Sequence, residues 1–415
     1  MEYITTRQAA EQWGISDRRV RLLCAQEKIS GVVKQGRNYK IPADVSKPAD
    51  GRVKLAPSTR YLKWDDDVIG VIDDTSSVTF TSPSYNELVS LYTRGTSRWT
   101  SKQFHEFLSE RVVSRDRRDI ERILFRCGLS HYDVLQIADI TRGIHPKDLL
   151  WIAYSKDEKL NNIMTAVFDS VFHQKIDLVG DSLDTPEGYN IKRYGVYEGQ
   201  YGIYKQRISP LMTDVESEVA VFLLAEKLGV PCCPAYRVDK DTVFSAFQYD
   251  FSNEYIVHFR RLFAGARSDN EYQNLLSVRP QYRNDIARMI LLDFITRQDD
   301  RHLSNIAIKI TATDESFYPL YDNGRSLFYE DTEEMVHEAV DDPVKYATTF
   351  GYAGTYWDYV KEMHAAGVPV SELVDLSITK NEIADILEIA GFTGYRFDGA
   401  LTWITNTIKM IQAYN

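Results

Sequence analysis

Asp300, His302, Asn305 and Asp322 are the side chains of this 415-residue chain whose types and spacing suit group transfer. The first three lie in Gln298-Asp299-Asp300-Arg301-His302-Leu303-Ser304-Asn305, the fourth in Tyr321-Asp322-Asn323-Gly324. Phosphoryl transfer needs a carboxylate to orient or deprotonate the attacking hydroxyl, and an amide and a carboxylate oxygen to hold Mg²⁺ against the phosphates. Asp300, Asn305 and Asp322 fill that inventory, with His302 beside the first. Asp, Asn and Ser in a loop also make turns with no chemistry involved. Asp-x-His-x-x-Asn followed by Asp-Asn-Gly is a combination that turn formation alone does not require.

The elements around these residues must bring them together. An apolar helical run (Ile286, Met289, Ile290, Phe294) breaks into a polar loop at Gln298, and Ile306 to Ile310 then reads as a short strand. A second strand, Phe317 to Tyr321, would deliver Asp322 beside the loop. The order Asp-Arg-His-x-x-Asn resembles HipA-type serine/threonine kinases, and also the catalytic loop of phosphoinositide kinases. The resemblance implies ATP and Mg²⁺ as cofactors, Asp300 as the catalytic carboxylate, Asn305 as one Mg²⁺ ligand and Asp322 as the second. Asp299 is an adjacent alternative, but Asp300 has the spacing to His302 and Asn305.

Upstream, residues 176–250 read as a kinase small lobe and 251–415 as the large lobe. Tyr189 to Tyr194 and Gln200 to Lys205 are strand-like, with Gly180 and Gly188, then Gly195 and Gly199, in the turns before them. Glycines let backbone amides approach phosphate closely. Gly188 is therefore a cofactor-binding candidate, although no tight Gly-x-Gly-x-x-Gly is present. Lys205 ends its strand and is the candidate for the α/β-phosphate contact. Its anionic partner would come from the amphipathic helix beginning at Asp214. Glu218 is the choice, since Glu218 to Pro231 resembles the HipA-like run of Glu, Leu-Ala and Gly-Val-Pro; Glu216 is the alternative, and acids at a helix N-terminus also simply favour the dipole. Tyr236 to Val238 and Val243 to Phe247 resemble the last small-lobe strands, leading to an adenine-contacting hinge at Phe247 to Tyr249. HipA-type kinases are switched off by phosphorylation of a Ser in the phosphate-binding loop, which implies Ser182 and Thr185 as autophosphorylation candidates. Ile383, Ile386 and Leu387, at helical spacing, read as core.

Charge is uneven along the chain. Residues 1–60 hold 12 Lys/Arg against 6 Asp/Glu, or +6, and the remainder holds 37 against 54, or −17. Within that basic head, residues 1–45 read as a small winged helix-turn-helix. Thr5 or Thr6 caps a helix carrying Ala9, Ala10 and Trp13, and Ser16 caps a second helix that exposes Arg18, Arg19 and Arg21. A hairpin with a basic tip, including Lys34 and Arg37, follows. This resembles the excisionase/MerR-type DNA-binding module, and implies DNA contact through those five residues.

Residues 46–60 read as a linker and 61–175 as a mixed, mostly helical middle domain, with Val68 to Ile72 and Ser77 to Phe80 as strand candidates. Helical periodicity covers Lys102 to Val112, Arg115 to Phe125 and Tyr132 to Ile140. The arginines between Arg115 and Arg126, interleaved with acids, suit pairing along a solvated helix face. Trp151 is expected to anchor this domain into the next. A composition 44% apolar and 26% charged is that of an ordinary globular protein. Without an uncharged apolar run of about 18 residues or a signal-peptide plan, the chain is expected to be cytoplasmic, with no membrane contact. Its four cysteines show no metal spacing and no disulfide framework.

The expected architecture is α+β: a bilobal protein-kinase-like domain of HipA type, preceded by the winged helix-turn-helix and the middle domain. The expected activity is phosphorylation of a protein substrate in a toxin–antitoxin-like or mobile-element setting, with an antitoxin or a self-dimer open as partner. Two rivals are a lipid or small-molecule kinase and a non-catalytic transcription regulator on a kinase-like scaffold. The acidic kinase half suits an anionic lipid surface poorly, and a scaffold has no need of Lys205, Asp300, Asn305 and Asp322 together.

Overall fold

The computed structural model describes residues 3–13, 16–25, 29, 31–36, 38–43, 59–117, 120–126, 129–163, 192–250, 254–263, 268–311, 313–346 and 354–414. The chain divides into two compact units, Met1–Ala56 and Pro57–Asn415. Among the described residues no helix is long and apolar enough to cross a membrane.

In the first unit, helices Thr6–Trp13 and Asp17–Ala25 precede a hairpin of Val33–Gln35 and Asn38–Pro42. Thr5 is the cap of the first helix: its hydroxyl accepts from the Gln8 N–H at 3.2 Å, and the Gln8 side chain accepts from the Thr5 N–H at 2.9 Å. A strand not anticipated from the sequence, Tyr3–Thr5, pairs antiparallel with Asn38–Pro42. At three residues it is too short for alternation to be read. Ala9, Ala10, Val20, Leu23, Cys24, Ile29 and Ile41 form the core.

The second unit begins with a five-stranded antiparallel sheet in the order Arg98–Trp99, Val78–Phe80, Asp67–Ile72, Arg60–Trp64, Leu150–Ala153. The helix Ser101–Ser109 covers it, with a Thr100/Gln103 capping box and Phe104, Phe107 and Leu108 buried. The Trp99 ring sits 4.8 Å from Phe80 and 5.1 Å from Phe107. The organising element of the middle region is thus a sheet, three of whose strands the sequence reading did not resolve. Three details also differ. Helix covers Ile120–Arg126 alone, because a turn from Ser114 to Arg117 precedes it, and Arg117 is buried instead of lying on a solvated face. Trp151 packs within its own domain against Ile144, Ala153 and Leu160, and its indole N–H donates to the Asp65 carbonyl at 2.6 Å. Trp64 is among the residues that reach forward, edge-on to Tyr255 at 5.0 Å.

The small lobe is an antiparallel sheet ordered Ala235–Asp239, Thr242–Ala246, Gln200–Gln206, Lys192–Tyr197, backed by the helix Asp214–Leu228. Glu198 and Gly199, both at positive φ, make the two-residue turn between its last two strands. Gly195, expected in a turn, lies instead within a strand opposite Gly202. The large lobe holds a three-stranded sheet (Tyr255–His258, Ala307–Ile310, Glu315–Phe317) and a set of helices around Arg283–Ile295, which is buried almost all round. The helix Gly394–Ala413 locks onto it through Trp403, whose indole N–H donates to the Phe294 carbonyl at 3.0 Å. Ile383, Ile386 and Leu387 are buried in the helix Lys380–Ala390.

Gly202 sits where its strand crosses the sheet core. A Cβ there would lie 2.3 Å from the Ser245 carbonyl oxygen and 2.5 Å from Cζ of Phe244. Since backbone cannot yield as a side-chain tip does, Gly202→Ala should cost about 1–3 kcal/mol by overpacking. The expected outcome is a lowered Tm in thermal melts; an unchanged Tm would mean that the sheet relaxes freely around this position.

Candidate functional site

The helix Arg283–Ile295 ends at Thr296, Arg297 turns the chain at φ 51°, and the loop to Asn305 follows. The loop is shaped by Arg301, whose side chain is fully buried. Its guanidinium donates to Asp293 Oδ1 at 2.9 Å, to Asn323 Oδ1 at 2.7 Å and to the carbonyls of Tyr321 at 2.9 Å and Asn305 at 3.3 Å. One side chain therefore ties the helix, the loop and the segment around Asp322. The sequence reading included Arg301 only as a motif letter.

Within the loop, the Asp300 N–H donates to Gln298 Oε1 at 2.8 Å, and the Asn305 amide donates to the Asp300 carbonyl at 2.9 Å. That last bond leaves Asn305 Oδ1 as the acceptor available to a cation. Arg325 Nε lies 3.7 Å and His302 Nε2 3.9 Å from the Asp300 carboxylate. Burial raises the Asp300 pKa, against the pull of Arg325 and His302. Asp299 is directed elsewhere, accepting from the Tyr346 hydroxyl at 3.2 Å.

Asp322 follows the Glu315–Phe317 strand and a single bridge between Leu320 and Cys232, so the second strand is shorter than expected. Its backbone is left-handed, φ 58°, which is uncommon for a residue other than glycine. Lys205 Nζ lies 2.9 Å from Asp322 Oδ1 and also pairs with Glu218. Glu216 is engaged otherwise, by Arg207 at 2.7 Å and Arg237 at 3.0 Å. Lys192, to which the sequence reading gave no role, is 3.2 Å from Asp322 Oδ2. It faces Lys205 directly in the strand register. Counting outward from the Glu198-Gly199 turn would have found it, since residues equidistant from a two-residue turn oppose one another.

Electrostatics follow this geometry. Burial would raise the Asp322 carboxyl, but the two lysines outweigh it and hold it well below the usual carboxylate range. Burial would likewise depress Lys205, but Asp322 and Glu218 raise it.

Lys192, Lys205, Glu218, Phe247, Asp300, His302, Asn305, Asp322 and Arg325 all line one cavity of about 1050 Å³. Phe247 follows the last small-lobe strand, its N–H donating to the Tyr201 carbonyl at 2.8 Å and its ring 6.1 Å from Tyr194. Gly188, Ser182 and Thr185 lie outside the described residues. In the first unit Arg18, Arg21 and Lys34 are exposed, and Arg21 pairs with Asp17 at 2.8 Å. Arg37 and the side chain of Arg19 lie outside the described residues.

The donor set fits Mg²⁺. Among the described residues no three His, Cys, Asp or Glu side chains are grouped to hold a metal by themselves. Asn305 and Asp322 supply two oxygens, the small number used where substrate phosphates and water complete an octahedron.

No protein-family model and no curated protein sequence matches the chain. Among solved structures, a chain of the Shewanella oneidensis MR-1 toxin–antitoxin complex of HipA, HipB and operator DNA aligns at TM-score 0.50 and 14% identity, over 85% of this chain and 97% of its own. The Helicobacter pylori proinflammatory kinase CtkA aligns at TM-score 0.44 and 14% identity, over 54% of this chain and 93% of its own. The fold is α+β and matches that of the chain in the HipA–HipB–operator complex.

Asp214 opens the Glu218 helix, and burial pushes its carboxyl up to about 6 from an ordinary 3.8 despite the Ile208 N–H at 3.0 Å. An acid whose folded pKa lies above its unfolded value stabilises the fold at low pH, and that contribution is lost as pH rises from 3.8 to about 6. Asp214→Asn should therefore flatten the Tm profile across this window and raise Tm at neutral pH. Calorimetry over the same window checks it, and a profile parallel to wild type would relieve Asp214 of that role.

Proposed function

We propose that this chain is an ATP- and Mg²⁺-dependent serine/threonine protein kinase of HipA type, carrying a DNA-binding head on the same polypeptide. The observation that supports it best is Lys205 bridging Glu218 and Asp322 in the cavity that Asp300 and Asn305 also line. Structural scaffolding does not call for two lysines converging on one carboxylate at the edge of an open cleft.

In this reading Lys205 and Lys192 hold the donor phosphates, Phe247 and the hinge hold the adenine, and Asn305 and Asp322 hold Mg²⁺. The ion, when bound, supplies charge neutralisation at the phosphate oxygens. Asp300 aligns the acceptor hydroxyl and takes its proton as the new O–P bond forms and the bond from the γ-phosphorus to ADP breaks. Asn305 keeps the loop carbonyl at Asp300 satisfied while presenting its own oxygen.

Residues 1–45 are the proposed DNA-binding head and 46–60 its linker, with 61–175, 176–250 and 251–415 as middle domain, small lobe and large lobe. The HipA–HipB–operator complex is the analogy for the setting: regulation in a toxin–antitoxin or mobile-element context, in the cytoplasm, with DNA and an antitoxin or second copy as partners. The basic excess of the first 60 residues, 12 Lys/Arg against 6 Asp/Glu, supports the DNA contact.

Incubation with labelled ATP and Mg²⁺ should label protein, and Asp300→Asn should cut the rate at least about a hundredfold without disturbing nucleotide binding. Asp322→Asn should lose both transfer and Mg²⁺-dependent nucleotide binding. Near-normal turnover in Asp300→Asn would remove Asp300 from the chemistry. Lys192→Met should raise the KM for ATP by roughly tenfold, about 1.4 kcal/mol of binding; an unchanged KM would confine Lys192 to the fold.

The full chain should bind duplex DNA with an affinity that falls steeply with salt, through counterion release. Arg18→Glu should weaken that binding and leave phosphoryl transfer intact. Equal shifts by wild type and variant in a gel assay would place the DNA surface elsewhere.

A further inference from the structure

The cavity extends beyond the groups that serve a nucleotide, to a wall bearing Lys147, His258, Arg260, Arg261 and His302. This wall is basic in a chain of net charge −11. Two of the acids nearest this wall are already engaged. Asp148 accepts two bonds from Arg111 at 2.7 Å and one from the Tyr92 hydroxyl at 3.0 Å, and Glu110 pairs with Arg261. Arg260 is exposed, and among the described residues no carboxylate pairs with it. Its backbone N–H donates to the Leu303 carbonyl at 3.2 Å, which fixes it to the loop that carries Asp300. Burial, reinforced by the surrounding cations, holds the His258 imidazole neutral, so the positive charge of this wall resides on the longer side chains.

We infer that the acceptor side of the cleft takes an acidic segment of a protein substrate, with Arg260 and its neighbours binding an Asp or Glu side chain near the accepting hydroxyl. The hydroxyl in this statement rests on the kinase reading; the anion does not. A peptide carboxylate fits better than a nucleic-acid backbone. Glu106, Glu110 and Asp116 line the same cavity, and a continuous run of phosphates would have to pass them. One or two carboxylates on a flexible peptide reach the basic wall and avoid them. An arginine also binds a carboxylate through two parallel N–H donors, which gives register as well as attraction.

The test uses the full chain and fluorescein-labelled ten-residue peptides with a central Ser, flanked in one series by Asp and Glu and in the other by Lys and Arg. Anisotropy titrations without nucleotide should show the acidic series binding at least about tenfold more tightly, with the difference shrinking as salt rises. Arg260→Glu should erase or reverse the preference, and Arg260→Lys should retain most of it. With ATP and Mg²⁺, the same preference should appear in KM and leave kcat nearly unchanged, since Arg260 is not assigned to the chemistry. Equal binding of the two series, or an acidic preference that survives Arg260→Glu, would overturn the inference. So would an oligonucleotide whose binding depends on Arg260 when acidic-peptide binding does not. Peptide binding as expected without phosphorylation would count against the kinase reading and leave the anion site standing.

Discussion

The Arg301 guanidinium, buried and shared among Asp293, Asn305, Tyr321 and Asn323, is the contact on which the rest of the site depends. An arginine removed from water must find partners for its donors, and here they come from three separate stretches of chain. Satisfying them fixes where the helix end, the loop and the Asp322 segment stand relative to one another. Losing Asp293 would leave a buried charge uncompensated, a penalty of about 3–5 kcal/mol in comparable pairs. One buried group thus sets the relative placement of the segments that carry Asp300, Asn305 and Asp322.

The loop from Gln298 to Asn305 was the most legible part of the sequence, because the phosphoryl-transfer chemistry proposed for it demands particular residue types at short spacing and the motif Asp-x-His-x-x-Asn records them directly. The same holds for Lys205 and Glu218, which a strand and an amphipathic helix carry at recognisable positions. Lys192 was not legible from its own surroundings, since its place is a matter of register across a turn. Arg301 was visible but mute, because burial is a property of the packed molecule.

The middle domain shows the converse. The two-residue strand Arg98–Trp99 contains too little alternation to be read, and it joins the sheet only through pairing with Val78–Phe80, a segment that does read as a strand. Helical periodicity between Arg115 and Phe125 was real over Ile120–Arg126 and lost before it, where a turn from Ser114 carries Arg117 inward. Trp151, expected from its apolar stretch to anchor this domain into the next, does not do so. Its indole N–H is satisfied inside its own domain, and forward contacts come from other residues, Trp64 and Glu110 among them.

The two lysines facing each other across the small-lobe strands carry a further consequence. Like charges directly opposite in a sheet repel, and the Asp322 carboxylate between them is what makes the arrangement tolerable. That carboxylate occupies, electrostatically, the place a phosphate would take beside the two lysines. On the proposed reading, an incoming nucleotide relieves Asp322 of the lysines and frees it for the cation, while a cation on Asp322 frees the lysines for phosphate. Each arrival removes a cost the other would have met, so the two are thermodynamically linked, with the same coupling factor in either order.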